Sequence, residues 1–134
     1  MERRGRRNRD YVLFVWLSAA TAGVGCGSGS SPSYAPSPGP AAVITLTSAG
    51  ANPQRLTVKP GTQVTFVNND SIVHQMYSDP HPEHTDCPEL DAVGYLAPGQ
   101  SRQTANLNTP RTCGFHDHLH FENASLRGAI VIQP

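Results

Sequence analysis

The chain predicts an all-β fold, a sandwich of about seven short antiparallel strands, on three observations. No helical period of apolar residues is sustained after residue 41, short alternating runs recur between turn signals, and 12 Gly and 12 Pro among 134 residues punctuate the chain too often for long helices. Val43-Ile-Thr-Leu-Thr47 alternates and reads as the first strand, and Arg55-Leu-Thr-Val58 as the second. Pro60-Gly61 turns the chain into Thr62–Val67, where Val64 and Phe66 share a face. Asn68-Asn-Asp-Ser71 breaks that run, and Ile72–Tyr77 forms the next strand. Ser78–Leu90 carries three prolines, which donate no ladder hydrogen bond, so it is predicted as an irregular loop. Strands follow at Val93–Leu96, beyond Pro98-Gly99 at Ser101–Leu107, at Thr112–His116, and at Ala129–Ile132.

The beginning of the chain has a different composition. Five arginines in the first nine positions, the apolar run Tyr11–Ala22 and small residues up to Gly25 have the order of a secretory signal, so 1–25 is expected to direct export. The strongly apolar part is about half of the ~20 residues that a membrane crossing requires. Cys26, ahead of Gly27-Ser-Gly-Ser-Ser-Pro, resembles the lipid-acceptor cysteine of bacterial lipoproteins, although Gly23 stands where that pattern has a Leu-like residue. Any membrane association is expected to run through that lipid, and the location to be periplasmic or at the cell surface. Residues 26–41 are rich in Gly, Ser, Pro and Ala and form a tether that cannot bury enough surface to order itself; the domain occupies 42–134. Beyond Gly25 there are 5 basic and 8 acidic side chains, a net of −3, which excludes a basic nucleic-acid binder.

Export leaves Cys87 and Cys113 as a pair in an oxidising compartment, where a disulfide persists. The competing use is a thiolate ligand to a metal. A bridge would close a loop of about 27 residues, worth roughly 3–4 kcal/mol in the chain-entropy model.

All six histidines fall within 47 consecutive residues: His74, His81, His84, His116, His118 and His120. Neutral imidazole is the commonest metal ligand, so rings drawn from separate strands and loops can converge on a borderline cation such as copper or zinc. If the backbone stays extended, His116, His118 and His120 emerge on one face. Asp117 either orients a ligand imidazole through its second ring nitrogen or is an exposed charge.

The order Leu56-Thr-Val-Lys-Pro-Gly61, Val64-Thr-Phe-Val-Asn-Asn-Asp70, His74, Gly94-Tyr-Leu-Ala-Pro-Gly99, Phe115-His116 and Gly128-Ala-Ile-Val-Ile132 resembles the cupredoxin family of small copper proteins. The resemblance covers roughly Val43 to Gln133 and implies a Greek-key sandwich. In that family the first histidine ligand follows the Phe-x-Asn-x-Asp stretch, which matches His74. The other ligands, usually a Cys, a His and a Met, lie between the last two strands. Here the position after the aromatic is His116, and the closing loop has no methionine. By alternation Cys113 shares a face with Phe115 rather than with His116. The resemblance therefore implies a nitrogen or nitrogen/oxygen copper site on His74, His116 and His118, with His81, His84, His120 and Met76 as candidates for a fourth position.

Electron transfer through a redox partner protein, or copper handling, is the expected function. Gly114-Phe-His-Asp-His118 is also similar to a segment of copper/zinc superoxide dismutases, which makes turnover at an open copper position an alternative, but only sixteen residues follow His118. No Ser nucleophile motif, phosphate loop or paired-carboxylate signal suggests a hydrolase. A metal-free surface-binding module is the reading from a third class.

Overall fold

The computed structural model describes residues 41–134; the expected signal, Cys26 and the tether as far as residue 40 lie outside the described residues. Nine strands form two sheets: β1 Val43–Thr47, β2 Gly50–Asn52, β3 Arg55–Val58, β4 Thr65–Asn68, β5 His74–Ser78, β6 Gly94–Leu96, β7 Ser101–Gln103, β8 Arg111–Asp117 and β9 Gly128–Ile132. One sheet has the order β2-β1-β4-β7 and the other β3-β9-β8-β5-β6. The described residues contain no α-helix, only a single turn of 3₁₀ helix at Ala124–Leu126. None of their helices is long and apolar enough to cross a membrane.

The sandwich is mixed rather than wholly antiparallel, because β1 pairs with β4, and β3 with β9, in parallel. A hairpin cannot produce such pairs. The chain leaves the first sheet after β2, runs through β3 in the second and returns, which brings β4 beside β1 in the same direction. The additional strand, β2, folds back on β1 with Leu46 opposite Ala51. The Thr62–Val67 strand begins at Thr65, leaving Thr62 an isolated bridge to Leu107, and the Ser101–Leu107 strand stops at Gln103.

Alternation supplies the core. Ile44 and Leu46 of β1, Phe66 of β4, Met76 of β5, Phe115 of β8 and Ile130 of β9 are all fully buried. Phe66 and Phe115 meet edge to face with centroids 5.3 Å apart. Such a contact adds to burial because the edge of one ring meets the negative face of the other. Cys87 and Cys113 are joined by a disulfide and buried in the same core.

Candidate metal centre

Asn68 ends β4 with a buried side chain that shapes the approach to the site. Its Nδ2 donates to the carbonyls of Ile72, at 2.8 Å, and Leu96, at 3.0 Å, while its Oδ1 accepts from the Asp70 amide at 2.8 Å. Three of the bonds an amide side chain can make are thus formed on the backbone, and they hold the turn from which β5 starts at His74.

His74 is fully buried. Its Nδ1 lies 2.8 Å from Oδ2 of Asp117, at the end of β8. Nδ1 of His120 lies 2.7 Å from the same oxygen. The other carboxylate oxygen of Asp117 accepts from the amides of Gln75, at 2.9 Å, and Leu119, at 3.1 Å. Nε2 of His74 makes no hydrogen bond and stands 3.5 Å from Oδ2 of Asp70. Two imidazoles and a carboxylate therefore offer donors within 4.8 Å of one another. The His120 side chain is 40% exposed, so this group reaches solvent along one edge.

A second group lies across the sheet. His81, His84, His116 and His118 also bring one nitrogen each to within 4.8 Å of the others. His116 is fully buried, its Nδ1 is 2.7 Å from Oδ1 of Asp79, and its Nε2 has no hydrogen-bond partner. Nδ1 of His118 lies 3.2 Å from Nε2 of His84, and Phe121 stacks on His81 at 4.1 Å. His84 has a φ of 55° in the left-handed region, a conformation that costs a non-glycine residue energy and persists only where its surroundings hold it. The His84 amide donates to the Pro80 carbonyl at 2.8 Å. Burial lowers the pKa of both His81 and His84, and the neighbouring His116 and His118 rings lower them further.

The three residues expected to share one ion are thus divided: His74 belongs to one group, His116 and His118 to the other. Strand parity is the reason. In the β5–β8 register Met76 faces Asp117 and Tyr77 faces His116, so Asp117 shares a face with Met76 and His74, while His116 points the other way. The amide of His118 donates to the Gln75 carbonyl at 2.7 Å, which keeps the chain extended one residue further and puts His118 on the His116 side. A turn then starts at Leu119 and carries His120 back to Asp117, so the three closely spaced histidines do not share a face. Met76 is buried in the core opposite Asp117, and Asp117 is neither exposed nor bound to any ring of the second group.

Asp79 and Asp70 carried no sequence signal as orienting groups. Gly114 offered an indirect one, since a glycine inside a strand marks a close approach. A Cβ there would sit 2.1 Å from Oδ2 of Asp79, so the missing side chain is what lets Asp79 lie over β8 and reach His116.

No family model matches the chain. A purple cupredoxin from Nitrosopumilus maritimus superposes with a TM-score of 0.57 at 18% identity, over 69% of this chain and 99% of the other. The oxidised plastocyanin of Dryopteris crassirhizoma gives a TM-score of 0.53 at 23% identity, over 69% and 100%. In sequence, a plastocyanin from Scenedesmus fuscus is 33% identical over 84 residues, 60% of this chain and 84% of that protein. The chain belongs to the cupredoxin family. As a cupredoxin it lacks a free cysteine among the residues around His74, because Cys87 and Cys113 are bound to each other and Asp117 is the β8 residue that meets His74.

The carboxylate of this cupredoxin is tuned by opposing effects. Burial pushes the Asp117 pKa up, but hydrogen bonds with His74, the Gln75 amide, His120 and the Leu119 amide outweigh it and hold the pKa below the ordinary carboxylate value. A depressed folded-state pKa means that the stabilisation is complete above the unfolded value, about 3.9, and is lost as pH falls through the folded one. Urea denaturation of the metal-free protein from about pH 7 to about pH 2 should show that loss, and Asp117→Asn should be less stable at neutral pH with a shallower acid decline. Equal acid slopes for the two proteins would remove Asp117 from this role.

Proposed function

We propose that this domain is an exported copper protein of electron transfer or copper handling, with its copper held by His74, Asp117 and His120. The observation that carries the reading is the convergence of two Nδ1 atoms on one oxygen of a buried carboxylate, at 2.8 and 2.7 Å, beginning at the histidine that follows the bend after β4. Imidazole nitrogen with carboxylate oxygen suits divalent copper, and zinc by the same criterion. Asp70 stands where it can accept a hydrogen bond from His74 Nε2–H once Nδ1 becomes a ligand, the usual way in which a carboxylate fixes a ligand tautomer. Bound copper would supply a one-electron couple between its two oxidation states.

The surface supports a protein partner. Ile72 (46% exposed), Leu119 (49%) and Tyr95 (52%) are the exposed large apolar residues among those described. Ile72 lies two residues before His74 and Leu119 is next to His120, whereas Tyr95 pairs with Gln75 and so shares the His116 face of the sheet. A redox partner docking over Ile72 and Leu119 would cover the exposed edge of His120. The positively charged leader and its apolar run support export, Cys26 supports a lipid tether, and the buried disulfide suits an oxidising compartment.

Copper loading followed by paramagnetic spectroscopy tests the site. The Cu(II) protein should show a tetragonal signal of two nitrogens with oxygen and only faint visible absorption. His120→Ala and Asp117→Asn should each remove that signal. Affinity should weaken on acidification, because imidazoles must be unprotonated to ligate a cation. Protein that retains no copper after dialysis at neutral pH, or an affinity flat between about pH 7.5 and 5, would count against the centre and favour a metal-free binding module.

A further inference from the structure

The four rings of His81, His84, His116 and His118 are not needed by the centre just proposed, and their arrangement is hard to account for as packing alone. His116 is buried on the face of β8 opposite Asp117, with one ring nitrogen fixed by Asp79 at 2.7 Å and the other left without a hydrogen bond. This is the arrangement of a ligating histidine, one nitrogen oriented by a carboxylate and the other free for a cation. Nδ1 of His81 is likewise buried without a partner. Those atoms belong to the two chain segments that form the group, and the donors of all four rings lie within 4.8 Å.

The loop that brings His81 and His84 over the sheet is held at both ends. The Asp79 amide donates to the Gly114 carbonyl at 3.1 Å, the Asp86 amide donates to the Asp79 carbonyl at 2.8 Å, and Cys87 is bonded to Cys113. Phe121 and Tyr77 wall the group, with ring centroids 4.1 Å from His81 and 4.5 Å from His84. An open cleft lined by His81, His118, His120 and Phe121 gives a cation a way in from solvent.

We propose that His81, His84, His116 and His118 form a second, all-imidazole metal site for a first-row transition cation of the copper or zinc class. It lies on the opposite face of β8 from Asp117 and does not depend on the His74–Asp117–His120 centre. Along one stretch of chain the ligands alternate: His116 and His118 serve the new site, Asp117 and His120 the other. Four neutral nitrogens, without the carboxylate of the first centre, leave the bound ion its full positive charge and suit either oxidation state of copper as well as zinc.

The test is metal stoichiometry of the purified full chain, equilibrated in one arm with Cu(II) and in the other with Zn(II), freed of unbound metal and weighed intact under native conditions. Wild-type protein should carry two ions. His81→Gln/His84→Gln alters only half-buried loop residues and should carry one, with the nitrogen/oxygen copper signal unchanged. His120→Ala should also carry one, and its copper signal should show four nitrogens. Two ions retained in His81→Gln/His84→Gln, or a single wild-type ion that this variant still binds, would overturn the second site and leave the first centre standing. A single wild-type ion lost in His81→Gln/His84→Gln and kept in His120→Ala would support the second site and overturn the first. No ion in any protein would overturn both.

Discussion

Asp117→Cys is expected to turn a faintly coloured copper protein into an intensely coloured one. Asp117 is the β8 residue that meets His74 and His120, and with a thiolate in its place the donor set becomes two histidines and a cysteine. That set gives the strong sulfur-to-copper charge transfer and the tuned potential of blue-copper sites. The amide of Gln75, which donates to Asp117 at 2.9 Å, would then face the sulfur and help hold it as the anion. His116→Cys is the informative control. Counting from the aromatic Phe115 puts the family's cysteine position at His116, but that side chain points through the opposite face of the sheet toward Asp79. The control should therefore gain no band from the His74 centre. With the four-histidine group disabled by His81→Gln/His84→Gln in both proteins, an intense band in His116→Cys and none in Asp117→Cys would reverse the ligand assignment and place His116 beside His74.

The difference between those two residues marks where sequence reading stops. The Ile44/Leu46 and Phe66 alternation, the turn at Pro60-Gly61 and the Pro-rich loop after Ser78 are local features, and each appears in the fold where local chemistry puts it. β2 was not legible because Gly50-Ala51-Asn52 has no alternating apolar pattern; it becomes a strand only by pairing with β1. The histidine cluster was visible as composition, but its division into two groups depends on the register between β5 and β8. Neither strand encodes that register by itself, and a one-residue shift exchanges the faces of His116 and Asp117. The contact from Asp79 to His116 spans 37 residues and rests on a glycine whose importance is the space it leaves.

Replacing Cys87 and Cys113 together by Ala is expected to lower stability by roughly 3–4 kcal/mol, the chain-entropy value for a loop of this length, and the melting temperature by roughly 15–25 °C. The bridge joins positions separated by 26 residues, and the chain between them includes β6 and β7. Against a total of about 5–15 kcal/mol for a small domain, that loss is large. Some constraint survives it, because Arg111 of β8 pairs with Glu89 two residues beyond Cys87. This pair is about one-third exposed and contributes little by itself. The bridge also anchors the loop that carries His81 and His84, whereas His74, Asp117 and His120 lie on β5, β8 and the turn directly after it. Its removal should therefore weaken metal binding by the four-histidine group well before it affects the copper signal of His74, Asp117 and His120. Calorimetry of the metal-free double variant checks the first part, and metal titration below its melting temperature checks the second. An unchanged melting temperature would mean that packing, not the covalent link, holds the loop; equal loss of both metals would mean that β8 itself had moved.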